Sequence, residues 1–96
     1  MPDQGRKERG AVPRVEIYTK TFCGFCVRAK HLLESKEIEY KEHVVFYGGP
    51  ERQEMIERSG GRTTVPQIFI DGRYIGDCGE LIQLESQGKL DELLAA

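Results

Sequence analysis

Two cysteines three residues apart, Cys23 and Cys26, constrain this chain more than any other feature. They fall between an alternating run, Val15-Glu16-Ile17-Tyr18, and a helical pattern that starts near Gly24. A strand handing over to a helix at that point sets both thiols on the helix's first turn. Positions i and i+3 share a face there and can close a small disulfide ring. The same turn carries unpaired backbone N–H groups and positive potential, which favour a sulfur anion. The expectation is a redox-active thiol pair. Three cysteines in all is an odd number, which suits a structural disulfide framework poorly.

At 96 residues there is room for one compact domain. A chain 39% hydrophobic and 31% charged belongs with folded globular proteins rather than disordered ones. The formal net charge of -2, without an aromatic and basic stripe, gives no reason to expect nucleic acid as a partner. No apolar run approaches the roughly 20 residues that span a bilayer. Met1 to Arg14 lacks the hydrophobic segment of a secretory signal, and Asp3 and Glu8 argue against a transit peptide. The expected location is therefore cytoplasmic. In that reducing compartment a catalytic pair is favoured over a structural staple. Residues 1–13, rich in Gly, Pro and charge, read as a flexible extension with Arg6, Lys7 and Arg9 solvated. Residues 14–96 read as the domain.

After the first strand, the spacing predicts a helix over 24–35, with Cys26, Ala29, Leu32 and Leu33 turned inward. Cys26 then lies on the buried side and Cys23 at the solvent-facing lip. Ile38-Glu39-Tyr40-Lys41-Glu42 alternates again, and Val44-Val45-Phe46 extends that strand. Strand, helix and strand make a right-handed βαβ unit with parallel pairing. Gly48-Gly49-Pro50 turns into a second helix reaching about Ser59, with Met55 and Ile56 inward and Gly60-Gly61 ending it. Asp71-Gly72 between Gln67-Ile68-Phe69-Ile70 and Arg73-Tyr74-Ile75 signals a type I′ hairpin. Two short amphipathic helical segments separated by Gly88 close the chain. The order β-α-β-α-β-β-α defines a small α/β fold with one mixed, four-stranded sheet flanked by helices. A Cys-x-x-Cys at its first strand-to-helix junction reads as a thioredoxin-like redox motif.

With these stretches in place, the chain resembles the glutaredoxins, most closely the small bacterial dithiol type. The resemblance runs from Val15 to Leu94. It rests on Glu16-Ile17-Tyr18-Thr19-Lys20, Cys23-Gly24-Phe25-Cys26, Arg62-Thr63-Thr64-Val65-Pro66-Gln67-Ile68-Phe69-Ile70 and Ile75-Gly76-Asp77-Cys78. It implies a thioredoxin fold, glutathione as co-substrate, and reduction of protein disulfides and glutathione mixed disulfides by a monomer. Cys23 is the expected nucleophile and Cys26 the resolving thiol.

The resemblance also implies a glutathione site. Thr64, Val65 and Pro66 would form a cis-proline loop that pairs with glutathione's backbone, with Phe25 close by. Lys20, helped by Gln53 or Arg52, would hold the glycyl carboxylate, and Arg62 is a further contact. Asp77, Cys78 and Gly79 open the last helical region, whose free N–H groups suit the γ-glutamyl carboxylate. The family pattern there is close to Gly-Gly-Cys-Asp-Asp. This chain carries Asp77 for the second glycine and Gly79 for the first aspartate, so its side-chain contacts must differ. Cys23, Cys26, Cys78, His31 and His43 show no zinc-site spacing, and no metal site is expected. Gly24-Phe25 does match the cluster-binding Cys-Gly-Phe-Ser branch. A [2Fe-2S] cluster in a glutathione-bridged dimer is therefore the alternative reading, although Cys26 stands where that branch has serine.

Overall fold

Strand β1 (Val15–Thr19) runs through the middle of the molecule, and its alternation decides what each face of the sheet contacts. The computed structural model describes residues 14–45 and 49–95. The order continues with α1 (Gly24–Ser35), β2 (Lys41–Val44), α2 (Pro50–Arg58), β3 (Gln67–Ile70), β4 (Arg73–Gly76), α3 (Cys78–Ser86) and α4 (Lys89–Leu94). The sheet order is β2-β1-β3-β4. β1 pairs parallel with β2 and antiparallel with β3, and β4 returns antiparallel on β3. The expected extension over residues 1–13 and the expected continuation of β2 through Phe46 lie outside the described residues.

One face of the sheet is apolar. Val15, Ile17, Ile68 and Ile70 pack there against Ala29 and Leu33 of α1, Cys78 and Leu81 of α3, and Leu90 of α4. Burying side chains of this size stabilises by about 1.5–3 kcal/mol each before chain entropy is counted. The opposite face meets α2 through a smaller cluster of Tyr18, Phe69 and Met55.

β2 begins three residues later than the alternation at Ile38 suggests. Glu37 takes a left-handed φ of 59°, and its N–H donates to the Glu34 carbonyl at 2.9 Å. The Ile38 N–H donates to Leu33 at 3.0 Å. This pair of bonds is a Schellman cap, so Glu37 and Ile38 are still finishing α1. Ile38 and Tyr40 pack on the core from extended chain outside the ladder. α2 ends the same way, with Gly60 at φ 77° and the Gly61 N–H bonded to the Ile56 carbonyl at 2.8 Å. The Asp71-Gly72 turn has φ of 54° and 80°, the double positive value that a type I′ hairpin needs. The last helical region is two helices, broken at Gly88 with φ 75°.

Arg14 ties the two ends of this frame together. Its guanidinium bonds both oxygens of Asp71, at 2.9 and 3.0 Å, and the carbonyls of Leu93 and Leu94 at the end of α4.

A polar network holds α2. Arg58 donates to both oxygens of Glu16, at 2.9 and 3.0 Å, and to the Tyr18 hydroxyl at 2.8 Å. Tyr18 in turn donates to Glu54 at 2.5 Å. His43 from β2 bonds Glu16 at 3.1 Å and stacks on the Tyr18 ring. Hydrogen bonds from Arg58, and secondarily from His43, hold the Glu16 carboxyl below its ordinary range against the opposing effect of burial. Burial pushes the Tyr18 phenol up to about 12, so it keeps the proton it donates.

A carboxyl with a lowered folded value contributes stability above its unfolded value of 4.5 and loses it as pH falls through the folded value. Arg58→Ala should therefore cost about 2 kcal/mol at neutral pH, because it strands a mostly buried carboxylate. It should also flatten the loss of stability below about pH 4.5. Urea denaturation from pH 3 to 7 measures both; an unchanged acid limb would rule out this source.

Candidate active site

The turn after β1 delivers Cys23 to the N-cap of α1 in extended conformation, with φ -115° and ψ 111°. The backbone N–H of Cys26 donates to Cys23 Sγ at 3.3 Å, aimed where a thiolate's charge would sit. Cys23 is partly exposed, whereas Cys26 is 2% exposed and turned into the domain. Burial, followed by a hydrogen bond with Cys23, pushes the Cys26 thiol well up. The backbone of Lys20 acts in the opposite sense on that sulfur. All three cysteines are free thiols.

A second segment reaches the same place from β3. The Val65–Pro66 peptide bond is cis, and the Val65 carbonyl oxygen lies 4.0 Å from Cys23 Sγ. Gln67, fully buried, braces this loop. Its amide donates to the Thr64 carbonyl at 2.9 Å and to Thr64 Oγ1 at 3.2 Å, and it accepts from the Tyr74 hydroxyl at 2.5 Å. Gln67 and Tyr74 were not singled out by sequence reasoning. A polar glutamine opening the apolar run Ile68-Phe69-Ile70 directly after Pro66 is the signal the sequence carries.

The third segment is the start of α3. Asp77 is its N-cap in a capping box: it accepts from the Glu80 N–H at 3.0 Å, and Glu80 accepts from the Asp77 N–H at 2.8 Å. Arg62 pairs with Asp77 at 3.2 Å and with Glu80 at 3.5 Å. Gly76 makes room for this arrangement, since its φ is 139° and a Cβ there would fall 2.1 Å from Glu80 Oε1. Cys78, 3% exposed, is the first residue of α3. Burial pushes its thiol up, Arg28 opposes that, and the charges of Asp77 and Cys23 add to it. Cys78 is thus within electrostatic reach of Cys23.

Cys23, Cys26, Val65, Pro66 and Cys78 thus converge at one end of the sheet. Thr64 and Gly79 are exposed beside them, as are Lys20 and Phe25. Gln53 is the outlier. It is exposed on α2, where its amide donates to Glu57 at 3.1 Å, and no hydrogen bond among the described residues joins it to the thiols. Arg62 does more than a passing contact, because it neutralises two carboxylates at the α3 start.

A partly exposed thiol on a helix cap, with a second, buried thiol three residues on and a cis-proline loop across from it, defines a thiol–disulfide oxidoreductase on a thioredoxin-like frame. A family model described as glutaredoxin matches residues 15–75. The chain is 54% identical over 80 residues to glutaredoxin 3 of Escherichia coli K12, covering 83% of this chain and 95% of the relative. The solution structure of glutaredoxin from Brucella melitensis superposes with a TM-score of 0.73 at 47% identity, covering 88% of this chain and 91% of the other. A crystal structure of a buckwheat glutaredoxin–glutathione complex superposes with a TM-score of 0.75 at 27% identity, covering 85% and 76%. The chain belongs to the glutaredoxin family, and the fold agrees with the expected four-stranded mixed sheet flanked by helices. Among the described residues, no helix is long and apolar enough to cross a membrane.

The difference in exposure predicts ordered labelling. Brief iodoacetamide treatment of the native, reduced protein should add one adduct, at Cys23, while Cys26 and Cys78 react only on unfolding. Peptide mapping reads the position; early modification of Cys78 would show that α3 opens readily. Gly76→Ala should lower stability by about 1–2 kcal/mol in chemical denaturation, because it displaces Glu80 and forces an L side chain to a positive φ.

Proposed function

We propose that this chain reduces protein disulfides and glutathione mixed disulfides with electrons from glutathione, with Cys23 as nucleophile and Cys26 as resolving thiol. The observation that carries the reading is the asymmetry of the pair. Cys23 is partly exposed and receives a backbone N–H, while Cys26 is buried at 2% exposure.

The Cys23 thiolate attacks one sulfur of a protein disulfide, forming a mixed disulfide and releasing the other sulfur as a thiolate. Cys26 then gives up its proton and attacks Cys23 Sγ, which releases the reduced product and leaves the Cys23–Cys26 disulfide. A first glutathione thiolate attacks Cys23, freeing Cys26. A second removes the glutathionyl group and departs as oxidised glutathione. With a glutathione mixed disulfide, Cys23 alone takes the glutathionyl group and one further glutathione completes the cycle. The raised Cys26 thiol suits its part, because it stays protonated and in reserve while Cys23 attacks.

In this reading glutathione lies between the Thr64-Val65-Pro66 loop and the start of α3, with Lys20 near its glycyl carboxylate and Phe25 at the rim. The N–H groups of Cys78 and Gly79 receive the γ-glutamyl carboxylate. Those of Asp77 and Glu80 already serve the capping box. Asp77 consequently acts as a cap and not as a free ligand, and Arg62 offsets its charge. Gln53 would have to leave Glu57 to contribute. The glutathione named with the buckwheat relative supports glutathione as the co-substrate. We further read residues 14–96 as the working domain, a monomer acting in the cytoplasm.

Cys23→Ser should abolish turnover of every substrate. Cys26→Ser should mainly slow protein-disulfide reduction and spare a small glutathione mixed disulfide. Arg62→Ala should raise the KM for glutathione about fivefold, because uncompensated Asp77 and Glu80 then repel its carboxylate. Steady-state kinetics with both substrate types tests all three. The protein should also be purified anaerobically with glutathione. A brown, dimeric product with negligible reductase activity would replace this reading with [2Fe-2S] cluster carriage.

A further inference from the structure

We propose that Phe22 is a specificity-determining contact that selects polypeptide disulfides with an apolar side chain, best an aromatic one, next to the attacked cysteine. The proposal rests on the reading of Cys23 as the attacking thiol.

Phe22 combines two unfavourable properties. Its side chain is wholly exposed, at 101% of the reference area, so the ring has no partner among the described residues. Its backbone sits at φ 59°, a left-handed conformation that bulky L residues rarely adopt and that glycine or asparagine meets far more easily. Neither folding nor local geometry asks for phenylalanine at this position. A bulky residue held in such a conformation beside a reactive atom points to a role in function. Phe25, on the first turn of α1, is likewise exposed, at 62%.

The position identifies what covers the ring. Once Cys23 is joined to a substrate sulfur, the residues flanking that substrate cysteine are held within a residue or two of the linkage, and Phe22 is the immediate chain neighbour of Cys23. A substrate side chain on the ring would make an aromatic anchor of the kind that dominates recognition surfaces. Glutathione is assigned to Val65 and the α3 start, so Phe22 adds selection among polypeptides without entering that site. A second copy of the chain is a poorer occupant. A stable dimer needs roughly 1,200 Å² or more of buried surface, well beyond what a few exposed apolar side chains offer.

The test uses two disulfide-bonded peptides identical except for Phe or Ser beside the attacked cysteine, together with a small glutathione mixed disulfide. The unmodified protein should show a kcat/KM about tenfold higher for the Phe peptide, expressed mainly in KM. Phe22→Asn should bring that ratio close to one without lowering Tm, because asparagine tolerates the left-handed backbone, and Phe22→Leu should retain most of the preference. Equal kcat/KM for the two peptides with the unmodified protein would overturn the proposal. So would a loss in Phe22→Asn shared equally by both peptides, or a concentration-dependent dimer that Phe22→Asn dissolves. If Cys23→Ser retained turnover, the underlying assignment of the nucleophile would fail instead, whatever the peptide ratio.

Discussion

The register of three strands brings the site together. Tyr18 at the end of β1 stands opposite Gln67 at the start of β3, and Ile68 stands opposite Gly76 at the end of β4. The chain leaving β1 toward Cys23, the chain entering β3 through Val65–Pro66 and the chain leaving β4 toward Cys78 therefore meet at one end of the sheet. A slip of one residue between β1 and β3 would turn Ile68 and Ile70 away from the apolar face, so core packing defends the register. Catalytic geometry and hydrophobic burial are in this way enforced by the same ladder. The irregularity between Ile68 and Phe69 falls next to the same end of the sheet.

The two faces of the sheet are held by different forces. α1, α3 and α4 cover theirs with close-packed aliphatic side chains. α2 buries only Met55 fully and is held largely by Arg58 and Glu54 reaching Glu16 and Tyr18. The Arg58 guanidinium also lies 4.1 Å from the Phe69 ring centre, so its charge and its flat face are both used. Such a network depends on charge state in a way the aliphatic face does not. Acid should loosen α2 before it disturbs the helices that carry Cys23 and Cys78.

Much of this was legible in the sequence because the decisive signals are local. Cys23-x-x-Cys26 before a helical pattern, Asp71-Gly72 between β-rich runs, and Thr64-Val65-Pro66 are each confined to a few adjacent residues, and each sits where the motif suggests. The start of β2 was misplaced because period-2 alternation at Ile38 and Tyr40 describes any extended segment with one buried side. It does not report whether that segment has a ladder partner. The Schellman cap at Glu37 has no sequence mark, since glutamate occupies the left-handed position usually left to glycine. Glu16, Tyr18, His43 and Arg58 read as unrelated polar positions because up to 42 residues separate their partners. The pairing of Arg62 with Asp77 was hidden for the same reason.

Asp77 illustrates how one departure from a family pattern is absorbed. Its carboxylate stands where the glutathione reading brings in another carboxylate, so on charge alone it should weaken binding. The capping box changes that expectation. One oxygen is bound to the Glu80 N–H and the other to Arg62, so both carboxylate oxygens have a donor. Glu80 likewise spends its carboxylate on the Asp77 N–H and on Arg62. The helix start consequently presents the N–H groups of Cys78 and Gly79 with the neighbouring charges offset. Space does not require glycine at position 79, since a Cβ there would stand 3.4 Å from the nearest Asp77 oxygen, an ordinary contact. Asp77 caps the helix, and Arg62 from the turn before the cis-proline loop supplies the charge that offsets Asp77 and Glu80.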